Sequence, residues 1–102
     1  VLICAFSPAI ACLENRDCDI RLNGIGLIAD FAEQGDEAVA TTVRACLEDG
    51  VARVRAAALE ALPRLARRGD TATIALVAAR LEDHETGVRA SAVEALTQIA
   101  EE

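Results

Sequence analysis

The stretch LEDGVARVRAAALEAL, Leu47 to Leu62, returns as LEDHETGVRASAVEAL, Leu81 to Leu96, and no other feature limits the possible folds as tightly. Leu47, Asp49, Val54, Arg55 and Leu62 recur as Leu81, Asp83, Val88, Arg89 and Leu96, each pair 34 positions apart. The same step backwards lands on Leu13, Asn15, Ile20, Arg21 and Ile28, a diverged third copy that keeps the apolar positions and the arginine. A fixed period of this length marks a stacked array, in which each unit carries an apolar face that only its neighbour can bury.

Within the second copy, Asp36 is an N-cap residue, and Val39, Ala40, Val43 and Leu47 follow at helical spacing until Glu48-Asp49-Gly50 breaks the run. A second helix starts near Val51 and gathers Val54, Ala58, Ala61, Leu62 and Leu65 on one face, with Gly69 supplying a left-handed position to end it. Each copy is therefore a helical hairpin, with repeats at about 2–35, 36–69 and 70–102. The inward face of the second helix centres on Ala58 and Leu62. On one flank stand the small residues Asn23, Ala57 and Ser91, and on the other the bulky Ile25, Leu59 and Val93. The large flank of one hairpin can thus seat on the small flank of the next, which stacks units in one direction without closing a ring. With 53% hydrophobic residues but only two aromatics, the core must be built from Ala, Leu, Val and Ile, with Ala the best helix former. The expected fold is all-α, a right-handed α-solenoid of three stacked helical hairpins.

The pattern of Leu47, Asp49, Val54-Arg55, Ala57-Ala58 and Ala61-Leu62, with Pro8 seven residues before Asn15, resembles HEAT repeats. The short period is also similar to the HEAT-like repeats of phycobilisome lyases. The resemblance implies a ladder of hydrogen bonds between neighbouring repeats, made by the Asp after the first helix and the Arg six residues on. The matching residues are Asp49 with Arg55 and Asp83 with Arg89; the first copy has Arg21 but substitutes Asn15, so the ladder is expected to be weakest there. A second departure is Pro63, where the family usually has Gly, and a kink in the second helix is expected there.

Catalytic, cofactor-binding and metal-binding residues are not expected, and the chain is not expected to be an enzyme. HEAT-like deoxyhypusine hydroxylases hold iron with repeated His-Glu pairs at second-helix starts, but here those starts read Val54-Arg55-Ala56 and Val88-Arg89-Ala90. His84 is the only histidine and falls in a loop. Ser7 and Ser91 are the only serines, and Ser91 shares its repeat position with Ala57 and Asn23, a packing site. The four cysteines, Cys4, Cys12, Cys18 and Cys46, lack the paired spacing of a zinc site, and Arg80 replaces Cys12 and Cys46 in the third copy. Asn23-Gly24-Ile25-Gly26 lies inside a helix and reads as a weak helical turn rather than a phosphate loop.

Net charge is −7, and only the middle copy, with six bases against five acids, is basic. That balance disfavours nucleic acid, which needs a basic stripe. No stretch reaches the ~20 apolar residues of a membrane span, and a cytoplasmic setting is expected. What remains is recognition of protein. In such solenoids the second helices line the concave side, and their outward positions are Leu22, Gly26, Ala29 and Glu33; Ala56, Glu60, Pro63 and Arg67; and Ala90, Glu94, Thr97 and Glu101. Small residues admit a close partner and the glutamates favour a basic helix or extended segment. The expected role is a scaffold or adaptor segment excised from a longer array, its outer repeats contacting further repeats. Two other readings follow from the resemblance: an accessory part of a phycobilisome lyase-type enzyme, and a nucleic-acid-binding module.

Overall fold

The computed structural model describes residues 12–13, 15–31, 37–66 and 69–100, which are helical with no strand among them. Among the described residues five helices run in order: α1 (Cys18–Phe31), α2 (Glu37–Ala45), α3 (Ala52–Leu65), α4 (Thr71–Ala79) and α5 (Thr86–Ala100). Tight 3-10 turns over Cys46–Glu48 and Arg80–Glu82 prolong α2 and α4. The starts of α1, α3 and α5 are spaced by 34 residues, as are those of α2 and α4, so the three-dimensional period equals the sequence period. The fold is an all-α solenoid in which α2–α3 and α4–α5 are successive hairpins and α1 stands in the register of their second helices; the first helix expected before it lies outside the described residues.

Local chemistry sets the boundaries. After the 3-10 turns, Asp49 and Asp83 adopt extended backbone, with ψ of 146° and 150°, which ends the first helix and turns the chain into the second. The predicted N-cap Asp36 lies outside the described residues, but its repeat partner Asp70 occupies that position before α4. Its carboxylate accepts the Thr73 hydroxyl at 2.8 Å rather than a backbone amide. The expectation for Gly69 needs correction. Gly69 does take a left-handed φ of 75°, but α3 has already stopped at Leu65, and Ala66 is extended with its N–H on the Leu62 carbonyl at 2.8 Å. Pro63, which lacks the amide that would bond to the Leu59 carbonyl, stands in the final turn of α3. Gly69 instead donates its N–H to the Ile99 carbonyl at 3.0 Å, tying its loop to the end of α5.

The core is one continuous strip. Val39, Val43 and Leu47 from the first helix of the middle hairpin meet Val54, Ala58, Leu62 and Leu65 from its second, and Ile25, Ile28, Val77, Val88 and Ile99 extend the strip to both sides. Seating by unequal flanks is visible in the exposures. Leu59 is 0% exposed beside Ser91 and Ala95, whereas Val93, its counterpart in the third hairpin, is 55% exposed; Leu47 and Leu81 compare as 1% and 37%. A hairpin stacks on the second unit, and among the described residues none stacks on the third. Second helices of neighbouring hairpins approach each other closely while α2 and α4 touch sparsely, so the stack is wedge-shaped with α1, α3 and α5 on its inner side.

Candidate protein-interaction surface

The register of this inner row is fixed at the loops between the helices of each hairpin. Asn15, Asp49 and Asp83 each accept, through Oδ1, the amide two residues on, from Asp17, Val51 and Glu85 at 2.8, 2.9 and 2.9 Å. An amide side chain makes this turn as well as a carboxylate does, which accounts for Asn15. The arginines play a double part. Arg21, Arg55 and Arg89 each donate Nη1 to the backbone carbonyl six residues before, on Asn15, Asp49 and Asp83, at 2.8, 2.8 and 2.7 Å.

Charge then crosses to the next hairpin rather than staying within one. Arg55 grips Asp83 with Nε and Nη2 at 2.8 and 3.0 Å, and Arg21 grips Asp49 with Nη2 at 2.9 Å. The side chains of the Arg55–Asp83 pair are only 13% and 2% exposed. The ladder between neighbouring repeats that the resemblance implies is thus present, while Asp49 with Arg55 and Asp83 with Arg89 meet only through the backbone carbonyls of the aspartates. The rung expected to be weakest, at Asn15, does not call on that side chain at all. Arg21 does hold its carboxylate less squarely: its Nε lies 2.7 Å from Asp49 Oδ2 but off the hydrogen-bonding axis. The bond from Arg55 holds the Asp83 carboxyl down at about 2, helped by the Glu85 amide and Arg80 and opposed by burial. The bond to Asp83 raises the Arg55 pKa, and the bond to Asp49 raises that of Arg21.

Along the inner row, Glu60, Ala90, Glu94 and Thr97 are exposed and Pro63 is half-buried. Leu22, Ala29 and Ala56, placed outward by the periodicity, are half-buried and pack against the core, because adjacent second helices sit close enough to turn these positions into groove walls. Glu33, Arg67 and Glu101 lie outside the described residues. Two grooves result. Between α1 and α3, Leu22, Ile25, Gly26 and Ala29 face Ala57, Ala61 and Arg64 across about 210 Å3, with Glu60 on the rim. Between α3 and α5, one stretch of about 330 Å3 is walled by Ala52, Arg53, Ala56, Gly87 and Val88, and a smaller one by Leu59, Pro63, Glu94, Ala95 and Gln98. Glu60 and Ser91 border both stretches, which lie end to end along the α3–α5 seam and are together called the α3–α5 channel. Glu60 thus stands where every part of the surface meets.

The first groove is bridged by charge and the second is not. Arg53 Nη2 lies 3.6 Å from Asp19 and Arg64 Nη1 lies 3.5 Å from Asp30, each pair joining equivalent positions of α1 and α3. Among the described residues no ion pair joins α3 to α5. Away from this face, Arg44 reaches from α2 to Thr73 at 3.2 Å and to Asp70 at 3.8 Å, a link between first helices that the repeat pattern does not signal. Cys46 is buried, its thiol pushed up to about 11 by desolvation, and its Sγ contacts the Thr42 carbonyl at 3.7 Å. His84 is exposed at the ladder edge. Asp17, Cys18 and Asp19 come close enough to share a cation, but the Arg53 guanidinium, 3.6 Å from both Cys18 Sγ and Asp19, already supplies positive charge there.

Paired helices at a fixed period, a ladder at one edge and a row of second helices inside are joined by a family model for HEAT repeats that matches residues 6–97. The chain belongs to the HEAT repeat family. HEAT repeats are commonly protein-interaction scaffolds. No curated protein and no solved structure matches the chain. Among the described residues of this HEAT array, no helix is long and apolar enough to cross a membrane.

Proposed function

We propose that this HEAT array is a protein-interaction scaffold that takes a basic helix or extended segment of a partner on the inner row of α1, α3 and α5, and that it carries out no reaction itself. One observation carries the reading: Glu60 borders all the grooves of the row, is exposed, and has no basic partner among the described residues. Glu94 repeats it one hairpin on, so a partner crossing the row meets carboxylates at a regular interval. Close carboxylates disfavour an acidic or neutral partner more strongly than they reward a basic one, which makes them a source of specificity. The same reading sets the chain in the cytoplasm, where thiols such as Cys12, Cys18 and Cys46 stay reduced.

The test is affinity capture with the intact chain and with Glu60→Lys/Glu94→Lys, compared with Glu48→Lys/Glu82→Lys, which changes charge equally at the ladder edge. The proposal expects the first variant to lose partners that the second retains. Identical partner sets for all three proteins would refute it.

A further inference from the structure

The two inner grooves are built from equivalent positions, yet they differ at the residues that control access. On α3, Arg53 and Arg64 reach back to Asp19 and Asp30 of α1, so the acids on that side of the α1–α3 groove are already neutralised. One repeat later the same two positions are Gly87 and Gln98, which offer no charge to α3. The α3–α5 channel is therefore unbridged, and Glu60, Glu85 and Glu94 on its borders outnumber the one base, Arg53, which is engaged with Asp19. Its lining includes the small side chains Ala52, Ala56, Ser91 and Ala95, and Gly87 has open space where a Cβ would stand.

Resting on the inner-face reading, we infer that the α3–α5 channel is the docking groove, and that its occupant is an amphipathic partner helix bearing Lys or Arg at the end that lies over Glu60 and Glu94. The channel runs alongside two helices from Ala52 to Pro63, about 17 Å at 1.5 Å per residue, which is the length of about three helical turns. A shallow trough between parallel cylinders, lined in part by Ala and Ser, accepts a third cylinder with its side chains interleaved between the ridges. Charge fixes the polarity. Glu60 and Glu94 stand toward Pro63 with no base lining that stretch among the described residues, whereas at the Ala52 end Glu85 is accompanied by Arg53, so the more strongly basic end of the partner lies toward Pro63.

The experiment titrates the intact, isotope-labelled chain with a synthetic helix of about three turns made of Leu, Ala and Lys, following backbone amide resonances. A glutamate-for-lysine version and a version broken by a central proline serve as comparisons. The inference expects saturable shifts along Ala52–Leu62 and Gly87–Gln98 with the unbroken lysine peptide only, and affinity at least about tenfold weaker for Glu60→Lys/Glu94→Lys than for Glu48→Lys/Glu82→Lys. Shifts centred on the α1–α3 groove would overturn the groove assignment while leaving the inner-face reading intact. Equal binding of the proline-broken peptide would overturn the helical occupant. Shifts confined to α2 and α4 would overturn both readings, and absence of saturable shifts up to about 1 mM peptide would overturn the docking groove.

Discussion

Replacing Asp83 separates the two tasks of its carboxylate. Oδ1 accepts the Glu85 amide at 2.9 Å and closes the turn, while the two oxygens together take Nε and Nη2 of Arg55 and Oδ2 also takes Arg80 at 3.2 Å. Asp83→Asn keeps the turn, as Asn15 does in the first copy, but removes the charge. Hydrogen bonds to charged groups contribute about 1.5–3 kcal/mol against about 0.5–1.5 for neutral ones, so this variant should cost about 1–2 kcal/mol. Asp83→Ala also loses the turn bond and leaves a 13% exposed guanidinium without its counter-charge, which brings the cost to about 3–4 kcal/mol. For a chain of this size that lowers Tm by roughly 12–30 °C. Urea unfolding followed by far-ultraviolet circular dichroism, run as a double-mutant cycle with Arg55→Met, should return a coupling of about 2 kcal/mol. The same cycle on Arg64 and Asp30, whose side chains are 62% and 65% exposed, should return well under about 1 kcal/mol. If the two cycles gave equal couplings, or if Asp83→Ala were no worse than Asp83→Asn, the division of tasks would be refuted.

Three further outcomes follow. Leu59→Ala and Leu62→Ala should each cost about 2–5 kcal/mol in urea unfolding, whereas Val93→Ala, at 55% exposure, should change stability by less than about 0.5 kcal/mol; similar costs at Leu59 and Val93 would refute the one-directional seating of flanks. The Asp83 carboxyl is depressed in the folded chain to about 2 from 3.8, so its stabilisation is complete above about 3.8 and lost as pH falls toward 2. The stability gap between the native chain and Asp83→Asn, measured by urea unfolding across that range, should therefore narrow on acidification, and a constant gap would contradict the ion pair. Cys46, with its thiol raised to about 11 and buried, should be alkylated more slowly than Cys18 at neutral pH and should react on unfolding, as mass spectrometry of labelled peptides would report.

The hairpins were legible in the sequence because their information is local and repeated: spacing of Val39, Val43 and Leu47, then Val54, Ala58 and Leu62, names both helices and their shared face. The direction of the ladder was not. Asp49 and Arg55 are six residues apart and Arg21 and Asp49 twenty-eight, and both separations recur in a periodic chain. Only the offset between stacked hairpins decides that the carboxylate serves the preceding arginine. Gly69 misled because a glycine after a helix signals its end, but α3 stops at Leu65 and Ala66 is already extended. The Arg44–Thr73–Asp70 link escaped notice because its positions are not repeated: Ala78 replaces Arg44 and Val39 stands for Thr73 in the neighbouring copies. For the inner surface, periodicity found Glu60 and Glu94, and the copy differences Arg53 to Gly87 and Arg64 to Gln98 were readable. That Asp19 and Asp30 bridge one groove and leave the other open required the packed helices.

The central claim is that the inner row of second helices meets the partner, and protection of individual carboxylates tests it most directly. The captured complex and the free chain are to be labelled with a water-soluble carbodiimide and an amine, and modification at each glutamate quantified by mass spectrometry. The scaffold reading predicts that Glu60 and Glu94 are protected in the complex while Glu48 and Glu82, exposed at the ladder edge, label as they do in the free chain. Undiminished labelling of Glu60 and Glu94 in a saturated complex would contradict it.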